Sequence, residues 1–182
     1  MARRPPSAPP SEPPPAPGDS LSQGDAQSPG DSLSQGDARS LRARLTPGHP
    51  QPALTSLIAA CRCAEAVRAG LHLLNGDWEA AHRVAQDLSG PLGAHWHALV
   101  HRHEPDFENS KYWLARVGQS PLYPTLAQAA RAAGHEEVLA GGRWNPLRFT
   151  DCYTAQEGWT RELDRLEQEA LLDHCLALPD AT

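Results

Sequence analysis

Apolar residues recur every three or four positions from residue 55 onward, which is the spacing of one face of an α-helix. The first stripe consists of Leu57, Ala60, Cys61, Ala64, Val67, Leu71 and Leu74. It ends at Asn75-Gly76, where glycine suits the left-handed conformation that terminates many helices, and Asp77 can cap the next helix. The pattern therefore predicts a helix over residues 55–74 and a second helix over residues 77–89, folded back on the first as a hairpin.

The same spacing predicts further helices separated by turn residues. Pro91 suits the first turn of a third helix, which ends near His103 because Pro105 disfavours helical backbone at the residue before it. The remaining helices are predicted over residues 107–117, over residues 124–134 and, for about 20 residues, after the capping box that begins at Thr154. Residues 136–153 are predicted to be a loop, since Gly and Pro residues interrupt any helical pattern there.

No alternation of apolar and polar residues is long enough to indicate a strand. The predicted fold class is therefore all-α, with five or six helices in antiparallel hairpins.

Residues 1–50 lack the helical spacing of apolar residues: they contain eleven of the 18 prolines and no Trp, Tyr, Phe or Cys. A ten-residue sequence from Gly18 recurs from Gly30 with only its last residue changed. We predict that residues 1–50 are a disordered, Pro/Gly/Ser-rich tail and that residues 51–182 form a single helical domain.

Charge and composition exclude several classes of function. Residues 51–182 carry 11 basic and 17 acidic groups, so the clustered positive charge of a nucleic-acid-binding protein is absent. No apolar run approaches the roughly 20 residues that span a bilayer, and no apolar segment follows the basic start as it would in an export signal. The four cysteines are too few and too irregular for a disulfide framework. We therefore expect a cytoplasmic protein that acts on neither nucleic acid nor membranes.

Four of the nine histidines lie within residues 95–103, and two acidic residues, Glu104 and Asp106, follow them. On a helix His97 and His101 lie one turn apart, with Glu104 close to the same line, and two imidazoles with a carboxylate can hold a divalent ion such as Zn or Fe. Ala98 follows the first of these histidines where a zinc protease has its general-base glutamate, so that class is excluded.

A second metal-ligand spacing occurs at Glu79 and His82. Glu-x-x-His is the motif of di-iron helical bundles, but those sites need two copies and this chain has a single one. The residues are better interpreted as a solvated helix face.

The predicted fourth helix adds polar and aromatic groups to the histidine cluster. Asn109, Trp113 and Arg116 share one face, Tyr112 lies beside them, and Lys111 is the single lysine of the chain. We interpret the region as a pocket for a small anionic or metal-linked ligand. Its predicted ligand-binding residues are His97, His101, Glu104, Asp106, Asn109, Lys111, Tyr112, Trp113 and Arg116, with Lys111 and Arg116 as anion anchors.

Three other interpretations of the same residues stay open. Glu104, Asp106, Lys111 and Arg116 could form ion pairs that only hold a helix corner. The helical hairpins could instead be a non-catalytic module that binds a protein partner through exposed tryptophans such as Trp78, Trp144 and Trp159. A metal-dependent hydrolase would need an open coordination position and a general base. Whether the protein is an enzyme is therefore left undecided by the sequence.

Two resemblances accompany these patterns. The runs Trp96 to Arg102, Glu104 to Phe107, Asn109 to Trp113 and Arg116 to Gly118 resemble a family of small, uncharacterised bacterial and fungal proteins. The resemblance covers about residues 70–125, and it departs from the family's pattern at His103, where Arg is expected, and at Gln119-Ser120-Pro121. Residues 74–81 are also similar to the turn and second helix of a tetratricopeptide hairpin, although the motif does not recur at that family's period of about 34 residues. The first resemblance implies a site at these residues but no activity.

Overall fold

A computed structural model describes residues 35–46, 50–154 and 158–179 of the chain. These residues form nine α-helices and one short β-hairpin. The helices are α1 (Gln35–Arg44), α2 (Pro52–Ala60), α3 (Glu65–Leu74), α4 (Trp78–Ala85), α5 (Gly90–His103), α6 (Phe107–Val117), α7 (Tyr123–Ala132), α8 (Pro146–Thr154) and α9 (Gly158–Ala177). The strands are β1 (Leu139–Ala140) and β2 (Arg143–Trp144), which pair antiparallel. The predicted all-α class is confirmed, with more helices than the five or six expected.

Part of the predicted disordered tail is a packed helix. In α1, Ala38 and Leu41 are buried in the main core, and the Arg42 guanidinium lies 2.6 Å from Asp173 of α9. The Arg39 side chain also donates a hydrogen bond to the Leu176 carbonyl. The expected tail therefore does not extend over residues 35–44, where Ala38 and Leu41 lie one turn apart in the core and two arginines contact α9. Residues 1–34 and 47–49 of the predicted tail lie outside the described residues.

The helix predicted over residues 55–74 is divided into α2 and α3. Cys61 and Ala64 both have extended backbone, with ψ angles of 127° and 140°, so the apolar stripe continues across a bend. The Arg68 side chain donates a hydrogen bond to the Cys61 carbonyl, which satisfies an acceptor that an unbroken helix would have used.

The loop predicted over residues 136–153 contains regular structure. Gly141 and Gly142 have φ angles of 58° and 75° and form the two-residue turn between β1 and β2, which few other residues would allow. Asn145 then caps α8, since its side-chain oxygen accepts hydrogen bonds from the backbone of Leu147 and Arg148. The residues that were expected to break a helix therefore mark the turn of a hairpin and the start of α8.

The helix α5 lies at the centre of the described fold, and every residue from Gly93 to Arg102 is buried. Trp96 packs against Gly70 of α3, where a Cβ atom would lie 2.6 Å from the indole ring. One side of α5 faces α9 and the other faces α4 and α6. Histidines on both sides of α5 are therefore enclosed by other helices.

Among the described residues, no helix combines the length and apolar character needed to cross a membrane.

Candidate metal centre

Three histidines from two helices meet where α4 packs on α5. One ring nitrogen from each of His82, His97 and His101 lies within 4.8 Å of the other two. His82 belongs to α4, and the other two lie one turn apart on α5, with ring centroids 4.7 Å apart and nearly parallel. His97 and His101 are buried, whereas the side chain of His82 is 28% exposed. We refer to these three residues as the imidazole cluster.

Glu104 lies against the cluster from outside. Its carboxylate accepts a hydrogen bond from Nδ1 of His82 at 2.6 Å. The other carboxylate oxygen lies 2.9 Å from Nδ1 of His101, though not aligned for a full hydrogen bond. Since an ionised carboxylate can only accept, both Nδ1 atoms carry the ring proton and both Nε2 atoms keep a lone pair. Asn109 agrees with this assignment, because its side-chain nitrogen lies 3.1 Å from Nε2 of His101 and can donate to it.

The closest approach within the cluster joins the Nε2 atoms of His82 and His97, which are 3.0 Å apart. His82 has its proton on Nδ1, so the proton shared by the two Nε2 atoms belongs to His97. Two nitrogens bound tetrahedrally to zinc would lie about 3.3 Å apart, given Zn–N bonds of about 2.05 Å. The two rings therefore already face each other at nearly the separation that a shared cation requires.

The environment disfavours the charged forms of His97 and His101. Burial, followed by the neighbouring His101 and His82, lowers the pKa of His97 from 6.5 to about 4, although Glu104 acts in the opposite direction. The pKa of His101 is also lowered, chiefly by burial. A neutral imidazole keeps one ring nitrogen with a lone pair that can bind a transition metal, and His97 can present Nε2 to an ion once its proton moves to Nδ1.

The helix α6 closes the cluster from the third side. The Trp113 ring stacks on His97 with centroids 4.3 Å apart, and Asn109 lies at His101 as described above. Asp106 caps α6 by accepting from the Asn109 backbone, and its other oxygen is 3.9 Å from Nδ1 of His101. Of the predicted ligand-binding residues, His97, His101, Glu104, Asn109 and Trp113 are thus brought together, with Asp106 at the edge.

The structure does not bring the other predicted ligand-binding residues into this cluster. The Lys111 ammonium lies 2.6 Å from Asp151 of α8 and 3.2 Å from Glu108, and these hydrogen bonds raise its pKa. The Arg116 guanidinium lies 3.3 Å from the centroid of the half-exposed Tyr112 ring and donates to the Tyr112 carbonyl. Lys111 therefore fastens α6 to α8, and the four-residue ion-pair corner considered above does not form as such.

The predicted metal ligands were His97, His101 and Glu104, whereas the three ring nitrogens that lie within 4.8 Å of one another belong to His82, His97 and His101. The expectation that Glu79 and His82 form a solvated face holds for Glu79 alone, which is exposed and pairs with Arg83. No local spacing pointed to His82, because it lies on α4 and reaches His97 and His101 only through the packing of α4 on α5.

A second buried polar group lies on the α9 side of α5, and the sequence patterns did not predict it. Arg102 is 1% exposed and its Nη1 lies 2.8 Å from Asp164 and 2.7 Å from Glu167. Burial alone would raise the pKa of Glu167, but Arg102 and a hydrogen bond from His95 lower it. This network fixes α5 to α9 and so fixes the helix that carries His97 and His101.

The tryptophans named for a protein-interaction surface do not share one environment. Trp144 is buried in the core, and Trp159 stacks on His135 with centroids 3.9 Å apart. Trp78 is 47% exposed. These positions do not define one exposed aromatic patch among the described residues.

The chain was compared with protein-family models, curated proteins and solved structures, and it matches none of them. The resemblance of residues 70–125 to small bacterial and fungal proteins therefore stays a prediction. The function has to be inferred from the residues of the imidazole cluster and their surroundings.

Proposed function

We propose that the imidazole cluster binds a divalent transition metal ion through His82, His97 and His101, and that the ion is zinc. The position of Glu104 is the observation that carries this proposal. Its two oxygens lie at Nδ1 of His82 and Nδ1 of His101, which leaves Nε2 of both rings unprotonated. A carboxylate behind a metal-binding histidine is the usual device that fixes the tautomer and increases the basicity of the ligand.

The ligand set favours zinc over iron. Imidazole suits several transition metals, but the iron site with two histidines and a carboxylate needs the carboxylate as a ligand. Here Glu104 already contacts two imidazoles and lies on their outer side. Three histidines with one open position are a known arrangement for zinc, which has no geometric preference of its own.

The fourth position would take a water molecule or a small anion, which is the metal-linked ligand expected from the sequence. Asn109 lies against Nε2 of His101, so its amide moves aside when the ion binds and then lies next to the open position. A metal-dependent hydrolase would also need a general base beside the bound water. Glu104 is engaged by the imidazoles, so binding of the ion is the function that the site supports best.

The cysteines support a reducing compartment such as the cytoplasm. The four cysteines form no disulfide with one another, and Cys61 and Cys175 are buried. Burial, with Cys61 nearby, raises the pKa of Cys63 to about 12. Burial also raises the pKa of Cys175, so the thiols of Cys63 and Cys175 are protonated at neutral pH and are weak competitors of the imidazoles for zinc.

Elemental analysis of untagged protein tests the proposal. We expect zinc in near-equimolar amount in the wild type, either as purified or after reconstitution, and its loss in His97→Ala/His101→Ala. The sharper variant is His82→Ala, because this side chain is partly exposed and was not among the ligands predicted from the sequence. His135→Ala is the matched control, since His135 also pairs with a carboxylate at similar exposure, away from the cluster.

Two outcomes would overturn the proposal. One is a wild-type protein that takes up no zinc, copper or nickel under reconstitution. The other is a His82→Ala variant that keeps its circular dichroism spectrum and still binds zinc with wild-type affinity. The second result would return the choice of ligands to His97, His101 and Glu104.

A further inference from the structure

A cavity of about 600 Å³ lies between α6, α7, the β-hairpin and the first turn of α8. This volume is within the range of small-molecule binding sites, roughly 300–1,000 Å³. Its wall is largely apolar and includes the buried residues Leu114, Ala127 and Trp144. Leu147 lines the same cavity and is 40% exposed, although its side chain is large and apolar. A ligand with an apolar body would remove this leucine and the adjoining wall from water.

The charged residues that line the cavity are both basic. They are Arg131 and Arg143, and none of the lining residues is acidic. Neither arginine has an ion-pair partner among the described residues, whereas Arg42 and Arg165 each contact a carboxylate. The chain as a whole carries a net charge of −6, so two unpaired guanidinium groups at one cavity run against its overall charge. Their combined potential attracts an anion and repels a cation.

The Arg131 guanidinium is held at the cavity wall by the turn of the β-hairpin. Its Nη2 donates a hydrogen bond to the Gly142 carbonyl, and a Cβ atom on Gly142 would lie 3.3 Å from the same nitrogen. Glycine has no side chain, so the part of Gly142 that lines the cavity is the backbone beside this guanidinium. The contact uses a single N–H of the five that an arginine carries, which leaves further donors for a ligand.

The ends of two helices add to the positive potential of the cavity. Tyr123 is the first residue of α7 and Pro146 is the first residue of α8, and both line the cavity. The aligned peptide dipoles of a helix give its N-terminus a partial positive charge. The field of both helices therefore acts in the same direction as the charge of the two arginines.

We propose that this cavity is a second binding site, for a small carboxylate with an apolar body. The carboxylate lies at Arg131 and Arg143, and the apolar body covers Leu147 and the buried wall. The site is separate from the imidazole cluster, because none of the three clustered histidines lines the cavity.

Calorimetric titration of the full chain with 2-naphthoate, 2-naphthamide and 2-naphthylmethylammonium tests this proposal. The three probes share one apolar ring system and differ in charge. We expect saturable binding of 2-naphthoate and at least about tenfold weaker binding of the uncharged amide, which is the lower end of the range for a hydrogen bond to a charged group. The cation should bind most weakly of the three.

Two variants locate the ligand within the cavity. Arg143 is exposed, so Arg143→Gln should retain the fold and reduce the preference for the carboxylate over the amide at least about threefold, with Arg131 keeping the rest. Arg44→Gln is the matched control, because Arg44 is also exposed but lies outside the cavity. Ala115 is an exposed lining residue, so Ala115→Trp should fill part of the cavity and weaken all three probes. Ala132→Trp, exposed and outside the cavity, should not.

A further variant distinguishes this site from the proposed zinc site. His82→Ala removes a proposed zinc ligand and should leave 2-naphthoate binding unchanged. Loss of binding in folded His82→Ala would place the carboxylate on the metal ion and overturn the proposal for this cavity. Equal affinity of the wild type for 2-naphthoate and 2-naphthamide, or no saturable binding of 2-naphthoate, would also overturn it. Retention of the full carboxylate preference in folded Arg143→Gln would do the same.

Discussion

Glu104 contacts two of the three histidines of the proposed metal site and orients both of their rings. Its two oxygens lie against Nδ1 atoms of two histidines, whereas a glutamine would offer one oxygen and one amide group. We expect Glu104→Gln to bind zinc about 10- to 100-fold more weakly while still reaching full occupancy, which is the usual effect of losing an outer hydrogen-bond partner.

A chelator competition assay measures this change. Glu79→Gln is the matched control, since Glu79 is exposed and pairs with Arg83 alone. Unchanged affinity would show that Glu104 does not orient the rings. Complete loss of zinc from a folded variant would instead make Glu104 a direct ligand, as the sequence spacing predicted.

His97 makes the stability of the metal-free protein depend on pH. Its pKa is about 4 in the folded protein and close to 6.5 when unfolded. Between these values the unfolded chain binds a proton that the folded chain does not, so stability falls as pH decreases from about 6.5 to about 4. His101, whose pKa is also lowered, acts in the same direction.

Urea unfolding at several pH values checks this expectation. The slope of unfolding free energy against pH should be smaller in His97→Asn than in the wild type, and unchanged in His135→Asn. The slope is informative even if the substitution lowers stability at every pH. Parallel profiles for the wild type and His97→Asn would contradict a lowered pKa of His97 in the folded protein.

Local sequence spacing reveals only part of the candidate site. His97 and His101 could be predicted because residues four apart on one helix are neighbours regardless of the tertiary fold. Spacing does not show whether Glu104 faces the metal position or the Nδ1 atoms behind it, because His82 of α4 fixes the orientation of its carboxylate. His82 itself reaches the site only because α4 packs on α5. The same limit applies to Lys111, whose partner Asp151 belongs to a helix that the sequence pattern did not predict.

At the scale of elements, α5 connects two polar groups through consecutive residues. His101 faces the imidazole cluster, whereas Arg102 is the cation for two buried carboxylates of α9. Replacing the guanidinium with an apolar side chain leaves the buried carboxylates of Asp164 and Glu167 without their shared cation. We expect Arg102→Met to lower the free energy of unfolding by about 3–5 kcal/mol.

Urea titration with intrinsic fluorescence measures this loss. Arg165→Met removes a surface ion pair with Glu169 on the same helix, and should change stability by less than about 1 kcal/mol. If the Arg102 variant loses no more than this control, the buried network does not hold α5 against α9.

The contact between α3 and α5 gives a second prediction at this scale. A Cβ atom on Gly70 would lie 2.6 Å from the ring of Trp96, which is fully buried and cannot move aside. Alanine favours a helix by about 1 kcal/mol over glycine, but the steric conflict should outweigh this gain. We expect Gly70→Ala to destabilise the protein by about 1–3 kcal/mol in chemical denaturation.

Gly158→Ala is the corresponding control, because a Cβ atom there meets nothing within 4 Å. It should be neutral or slightly stabilising. Equal effects of the two substitutions would mean that α3 and α5 are not packed as closely as described.

The bounds of some helices were predictable because their ends carry local signals. The fourth predicted helix has the bounds of α6, where Asp106 caps the start and Gly118 follows the end. The bend between α2 and α3 has no such signal, since Cys61 and Ala64 continue the apolar stripe. In α1 the stabilising groups are arginines that reach α9, a contact distant in sequence.

At the scale of the molecule, a bound ion would join α4 to the most buried helix of the described fold. The helix α4 has eight residues and no side-chain hydrogen bond at its N-cap, so its position depends on its contacts with α3 and α5. Zinc would add a covalent-strength link from His82 to α5. Zinc binding at the imidazole cluster would therefore be coupled to folding.

This coupling has a quantitative consequence. A ligand that binds the folded state alone stabilises it by about 2.7 kcal/mol when its free concentration is 100 times its dissociation constant. We expect a rise of this size in the unfolding free energy of the wild type with zinc, and no rise in His82→Ala, in denaturant titrations with and without the ion. Magnesium should have no effect on either protein, because it prefers oxygen ligands and all three ring ligands are nitrogens. Equal stabilisation of His82→Ala and the wild type by zinc would show that the ion binds elsewhere, since the variant lacks the imidazole that links α4 to α5.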